Sequence, residues 1–467
     1  MNKSRMKFFV ENMLFYGGLA MLIKALPLIT LPIITRLLPN TSSYGMADMF
    51  NIITSFGTAI AIMGMYDAIF REFFEDKENI EYQRKVTSTG LNLVIISSTI
   101  IMVLIFLFRN TLSELLFKES NQGFLVSVSG ISIFFMSISS ILASPSRMRN
   151  KRKVFLFTGV GLPIVGFLLI VGLIEVGYTY EALIYSTLGV SIISCFVFFM
   201  LNKSDFSLRI LDKKVMKELF KIGLPLLPTF LIYWVFNSMD RIMINRMLGP
   251  EELGIYSVGS KVASVSQLIY TAFAGGWSYF AFSTMKDKDQ VKMNSKLFEY
   301  LGIISFIAYI VSQPFICPVF KLLFENQYVE GGKVFSFLFL SPLILMLYQV
   351  VANQVVIIKK SYLSTVALIL GAIVNLILNF ILIKKYGIVG AAFSTLISYI
   401  VSTIFIVGIC KKYKLIILNF KYIIIFGLVI LTTIIKLLNV QNSYYIDIII
   451  LVIIFFSYYK EIKKLIK

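Results

Sequence analysis

Three cations, Lys24, Arg241 and Lys261, lie inside long apolar runs of the 467-residue chain, where an uncompensated charge is costly. Residues three or four apart share one face of a helix, so the residues around these cations sort into faces. Asn237, Arg241 and Asn245 form one polar line, with Trp234 on the neighbouring face. Tyr44, Asp48, Asn51, Ser55 and Thr58 form a second line, and Ser257, Lys261, Ser264, Gln267 and Thr271 a third. Asp240 points about 100° away from Arg241, which suits bracing of a neighbouring helix. Lys24 stands ~18 Å along its helix from Arg36, too deep to reach an interface easily. Arg36 and Arg246 close their apolar runs, either as gate or structural residues or as anchors that snorkel to the interface. The Ser, Thr and Asn side chains line a wet pathway or join helices by hydrogen bonds. Fixed cations at low dielectric attract an anion and repel cationic molecules. The chemistry in reach is recognition of an anion rather than bond-making.

The chain has no histidine, which excludes His-based catalysis, His metal ligation and His proton relays. Cys195, Cys317 and Cys410 are isolated in apolar surroundings, so neither a disulfide framework nor a metal site is expected.

The elements that position these residues must be membrane helices. Of the residues, 58% are hydrophobic and 15% charged, with a mean hydropathy of +0.84. Soluble domains run at about 45–50% apolar and ~25% charged. The net charge of +19 is spread in short clusters between apolar runs, which argues for topology and against nucleic-acid binding. A span needs about 20 apolar residues. Fourteen segments meet this, near 12–35, 45–69, 88–108, 123–144, 154–174, 180–201, 222–245, 252–282, 298–318, 334–358, 362–383, 388–410, 422–438 and 446–459. With the N-terminus in the cytoplasm, 32 of the 44 Lys and Arg residues fall on the cytoplasmic side and nine outside. That leaves Lys24, Arg241 and Lys261 within spans, and it places both termini in the cytoplasm. The first run is too long for a signal peptide's apolar core and lacks a small-residue cleavage site, so it reads as an uncleaved span.

The turn from Arg36 to Gly45 recurs from Arg246 to Gly254, at an offset of 209 residues after a one-residue deletion. Pro27 and Pro32 precede the first copy, Pro225 and Pro228 the second. The same offset sets Asp48 on Ser257, Ser55 on Ser264 and Thr58 on Gln267. Six spans separate the copies, so they run parallel. The expected architecture is all-α and polytopic, with two parallel six-helix halves around a central cavity and two added C-terminal helices. The halves are residues 1–201 and 222–410, joined by a cytoplasmic linker, 202–221, and followed by 411–467. No segment between spans exceeds about 20 residues, which leaves no room for a soluble nucleotide-binding domain. Asp287-Lys288-Asp289 and Gly259-Ser260-Lys261 imitate a catalytic D-x-D and a phosphate loop, but the second has the wrong order and runs into an apolar helix.

The Arg36–Gly45 turn, its copy through Tyr256, the Asp240-Arg241 pair and the span count together resemble the multidrug/oligosaccharidyl-lipid/polysaccharide exporter superfamily. Within it, the chain is most similar to the polysaccharide-biosynthesis flippases that move O-antigen or capsule repeat units. The resemblance covers essentially the whole chain, and its motifs are more specific for the superfamily than for the cargo. It implies an undecaprenyl-diphosphate-linked oligosaccharide, carried from the cytoplasmic to the outer leaflet of the bacterial cytoplasmic membrane by alternating access. It also implies cavity cations for the diphosphate, a role open to Lys24, Arg241 and Lys261, and partners among membrane lipids and the polysaccharide polymerase machinery. No enzyme activity or bound cofactor is implied, although H⁺ or Na⁺ coupling through Asp48 fits. The alternatives are a lipid II-type flippase and a cation-coupled drug exporter. The exporter would usually place an acid in a first helix, where this chain has Lys24. A membrane-embedded polymerase or ligase would need a larger outer loop.

Overall fold

A backbone in hydrocarbon must satisfy its polar groups internally, so long apolar runs fold as helices. The computed structural model describes residues 3–76, 78–117, 122–271, 273, 287–438 and 444–466, with side chains described for all of these but 3–17, 20, 444 and 460–466. Among the described residues every regular element is helical. They are α1 (Lys3–Leu37), α2 (Thr41–Ile62), α3 (Met65–Phe73), α4 (Ile80–Leu107), α5 (Arg109–Phe117), α6 (Gly123–Met148), α7 (Arg152–Glu175), α8 (Tyr180–Asn202), α9 (Lys213–Gly223), α10 (Leu227–Leu248), α11 (Pro250–Ala263), α12 (Gln290–Ser312), α13 (Ile316–Leu323), α14 (Gly332–Ile357), α15 (Tyr362–Lys412), α16 (Phe420–Leu437) and α17 (Tyr444–Ile466).

Ten described stretches are long and apolar enough to cross a membrane. The longest, α15, holds two expected spans and breaks between them at Gly387, where φ is 59°. On α7 the one buried residue is Gly166, while Phe157 and Leu168 are 73% and 61% exposed. A helix so apolar and so uncovered requires hydrocarbon around it. The chain is an all-α polytopic membrane protein.

Two expected spans are interrupted. The second ends at Ile62, because Met63 and Gly64 turn left-handed at φ 49° and 69°. A Cβ at Gly64 would lie 2.4 Å from the Gly223 carbonyl oxygen, so the turn admits only glycine. The eighth breaks at a turn over 264–265 and is helical again over 266–271. Residues 272 and 274–286 of that expected span lie outside the described residues. The last expected span, 446–459, falls within the 23 residues of α17.

Compactness divides the chain at other points than the repeat does. One unit is Ile33–Gly254, and the other is Met1–Pro32 with Ile255–Lys467. Most of α1 thus belongs with the second copy of the repeat, and α10 with the first. In the Ile33–Gly254 unit, Asn40, Asn79 and Asp212 cap α2, α4 and α9 by accepting backbone N–H bonds. Its core gathers Met65, Ile69, Val86, Val94, Ile141 and Leu219. Here α2 crosses α11 at two glycines. A Cβ on Gly45 would fall 1.9 Å from the Pro250 carbonyl oxygen, and one on Gly254 would fall 1.9 Å from that of Thr41. The offset of 209 carries Thr41 to Pro250 and Gly45 to Gly254, so the contact is reciprocal between repeat-related residues. In the other unit α14 is buried over most of its length and packs along α15.

Candidate functional site

Within the Ile33–Gly254 unit α10 packs against α2, and their polar lines meet. Arg241 Nη1 reaches Asp48 Oδ1 at 3.2 Å and Oδ2 at 3.4 Å. Asp48 is 3% exposed and Arg241 24%, so the pair is largely withdrawn from solvent and its charges cancel. Asp240 is buried beside it and accepts the Arg241 backbone N–H at 2.8 Å. Arg241 also forms part of the wall of a cavity of about 620 Å³ lined by Asn51, Ser55, Trp234 and Asn237. Trp234 Nε1 donates to Ser55 Oγ at 3.1 Å, while Ser55 donates to the Ile52 carbonyl at 2.9 Å. The indole stands 4.5 Å from the Phe56 ring, centroid to centroid. Asn237 Nδ2 donates to the Tyr233 carbonyl at 2.7 Å. Amides, an aromatic face and a guanidinium on one wall suit a polar guest with both apolar and hydrogen-bonding edges.

The other unit holds a second constellation. Lys24 Nζ donates to Gln267 Oε1 at 3.3 Å and to Thr271 Oγ1 at 3.0 Å. Both acceptors are neutral, and among the described residues no carboxylate pairs with Lys24. The turn at 264–265 divides the third polar line. Ser257 is fully buried on α11, Lys261 is half-buried, and Ser264 donates to the Lys261 carbonyl at 2.6 Å.

Asn51, Ser55, Asn237 and Arg241 therefore share one cavity wall, with Asp48 bound to Arg241 and not itself lining the cavity. Gln267 joins Lys24. Arg246 is exposed at a different cavity of about 670 Å³, where Asn245 turns inward to donate to the Leu116 carbonyl at 2.8 Å. Arg36 is exposed in the last turn of α1. Tyr66 and Asp67 also line the first cavity, although no polar line pointed to them. The left-handed turn at Met63–Gly64 rotates α3 away from the register of α2, and Gly64 was its one visible signal. Among the described residues no cluster of three or more Cys, Asp or Glu side chains could hold a metal ion.

Charged and amide side chains set deep in apolar helices define a class: polytopic α-helical membrane proteins with polar sites inside the membrane. Residues 33–330 match the polysaccharide biosynthesis protein family, and the chain belongs to it. It is 24% identical over 384 residues to the Lsg locus putative protein 1 of Haemophilus influenzae, covering 79% of this chain and 90% of that one. It is 24% identical over 322 residues to the probable low-salt glycan biosynthesis flippase Agl15 of Haloferax volcanii, 66% of each chain. An uncharacterized membrane protein of Methanocaldococcus jannaschii is 27% identical over 208 residues, which span 44% of this chain and 41% of that relative's length. Among solved structures, the lipid II flippase MurJ in an inward closed conformation superposes with a TM-score of 0.66 at 18% identity, over 98% of this chain and 100% of that one. An inward-facing multidrug resistance MATE family transporter of the MOP superfamily gives 0.60 at 14% identity, over 84% and 95%. At such identities the likeness is one of fold.

Proposed function

We propose that this protein is a flippase that moves undecaprenyl-diphosphate-linked oligosaccharide repeat units from the cytoplasmic to the outer leaflet of a bacterial cytoplasmic membrane, for capsule- or O-antigen-type polysaccharide export. Family membership supports a role in polysaccharide biosynthesis, and the glycan flippase among the relatives supports the reaction. The observation that carries the reading is Lys24, a cation in a membrane helix held by two neutral acceptors. An anion such as a diphosphate supplies the missing counter-charge. Lys261 is the second proposed cation. Arg241 enters after release from Asp48, which makes Asp48 the proposed carboxylate for H⁺ or Na⁺ coupling. A coupling ion taken up there frees the guanidinium for the diphosphate, while Trp234, Asn51 and Asn237 meet the sugars. The site is then exposed in turn to the two membrane faces, with the polymerase machinery taking the product.

The test is replacement of Lys24 by Gln in a host that depends on this gene for surface polysaccharide. Surface polysaccharide is lost, lipid-linked repeat units accumulate, and the amount of the protein in the membrane is unchanged. Normal polysaccharide in both Lys24→Gln and Lys261→Gln overturns the cationic site.

A further inference from the structure

A cavity of about 780 Å³ opens in the other unit, far along the chain from Lys24, where the end of α12, the start of α14, the end of α16 and the first turn of α17 come together. Most of its wall is apolar, with Val311, Phe315, Phe337 and Leu451 prominent. One edge is not. Lys436 Nζ lies 2.8 Å from Asp447 Oδ2, 2.8 Å from Gln313 Oε1 and 3.2 Å from the Tyr309 hydroxyl. Two of the ammonium's three hydrogens go to Gln313 and Tyr309, and the Asp447 contact is an ion pair. Ser336 Oγ donates to the same Gln313 oxygen at 2.8 Å. The carboxylate is left incomplete. The Asp447 side chain is 4% exposed, and beyond the ion contact of Oδ2 with Lys436 neither carboxylate oxygen has a hydrogen-bond partner among the described residues, with Oδ1 wholly unmet. A buried acceptor without a donor is expensive, and this one lines an apolar cavity. Lys333, half of a rim ion pair with Glu330, also lines it.

We infer that this cavity is a binding site for a membrane phospholipid whose head group carries a hydrogen-bond donor. An ammonium or hydroxyl of the head donates to Asp447 Oδ1, the phosphate lies at Lys333, and part of an acyl chain fills the apolar wall. In the orientation proposed above, the cavity sits at the outer-leaflet ends of its helices, where such head groups are found. Lys436, held by Gln313 and Tyr309, keeps the carboxylate in place through the ion pair rather than binding the lipid.

The experiment offers the purified full-length chain equal amounts of phosphatidylethanolamine, phosphatidylglycerol and phosphatidylcholine with matched acyl chains, and counts retained lipid by native mass spectrometry. Phosphatidylcholine has the same phosphate and chains but no donor in its head. Phosphatidylethanolamine or phosphatidylglycerol is retained over phosphatidylcholine by about tenfold, the discrimination expected of one hydrogen bond to a charged group. The favoured one of the two shows whether ammonium or hydroxyl is read. Leu451→Trp fills the cavity and abolishes retention with the ion pair intact. The double variant Lys436→Met/Asp447→Leu exchanges the ion pair for apolar side chains, a change that buried pairs often tolerate, and it retains the three lipids alike. Equal retention of phosphatidylcholine by the unmodified protein, or unchanged retention in Leu451→Trp, overturns the site.

Discussion

The helices that open the two copies of the repeat each carry a cation toward a polar stripe, and the two cations end differently. On α10, Arg241 meets Asp48, and the charges cancel at 3.2 Å. On α1, Lys24 meets Gln267 and Thr271, and neither carries a charge to cancel its own. The stripe from Asp48 to Thr58 and the stripe from Ser257 to Gln267 correspond position by position, yet Asp48 faces a serine in the alignment. The cation on α10 thus meets a carboxylate, while the cation on α1 meets an amide and a hydroxyl, with no carboxylate paired to it among the described residues. Placing polar groups on a helix face is thus not enough to make an anion site. What matters is whether the local charges sum to zero before cargo arrives.

The largest expected effect falls on the neutral pair. Arg241→Gln takes the guanidinium at 3.2 Å away from buried Asp48, and breaking a buried pair from one side costs about 3–5 kcal/mol. Thermal unfolding in detergent then shifts sharply downward. The double variant Asp48→Asn/Arg241→Gln recovers most of that loss, because the pair is then removed from both ends. Equal losses in the single and double variants would mean that packing, not charge balance, sets the stability here. The frame shared by both copies is next. Gly45→Ala and Gly254→Ala each push a Cβ into a carbonyl 1.9 Å away, and overpacking of this kind costs about 1–3 kcal/mol. The reciprocal contact predicts similar losses for the two. A large loss in one and none in the other would break the correspondence between the copies.

How much of this was legible in the sequence follows from the physics of each feature. Helices and their approximate ends were readable, because hydrocarbon leaves the backbone few alternatives and the apolar runs are long. The polar lines were readable too, because helical spacing places Asn51 and Ser55 on one face and Asn237 and Arg241 on another. Their partners were not. Whether Asp48 binds Arg241 depends on which helices touch, and no spacing within one helix encodes that. The breaks at Met63–Gly64 and 264–265 were hidden because hydropathy runs through them unchanged. Asp67 and Tyr66 reach the cavity wall only because of the first break. The C-terminal ion pair between Lys436 and Asp447 was unseen for the same reason as the first: its members lie on different helices.

Lys24 tests the other side of the comparison. Lys24→Gln removes a charge that no carboxylate among the described residues pairs with, so stability holds while transport falls. Loss of one charged hydrogen bond to the cargo is worth about 1.5–3 kcal/mol, or about 10–100-fold in the initial rate of lipid-linked oligosaccharide translocation into the outer leaflet of proteoliposomes. Gln267→Glu is the sharper variant. It keeps the amine and gives Lys24 the acidic partner that Arg241 already has. Translocation falls as in Lys24→Gln if net charge is what the cargo reads, and stays normal if the amine serves only to join the helices.

The smallest effect concerns the cavity wall beside the neutral pair. Trp234→Phe keeps an aromatic ring near Phe56 but deletes the Nε1 hydrogen that reaches Ser55 at 3.1 Å. A neutral hydrogen bond contributes about 0.5–1.5 kcal/mol, so translocation changes by no more than about tenfold. Ser55→Ala removes the same bond from its other end. If the bond orients the indole for the cargo, the two single variants and the double variant share one rate, because the second change has nothing left to remove. If the losses add, Trp234 and Ser55 act on the cargo separately, and the α2–α10 wall works as independent contacts rather than as one preformed surface.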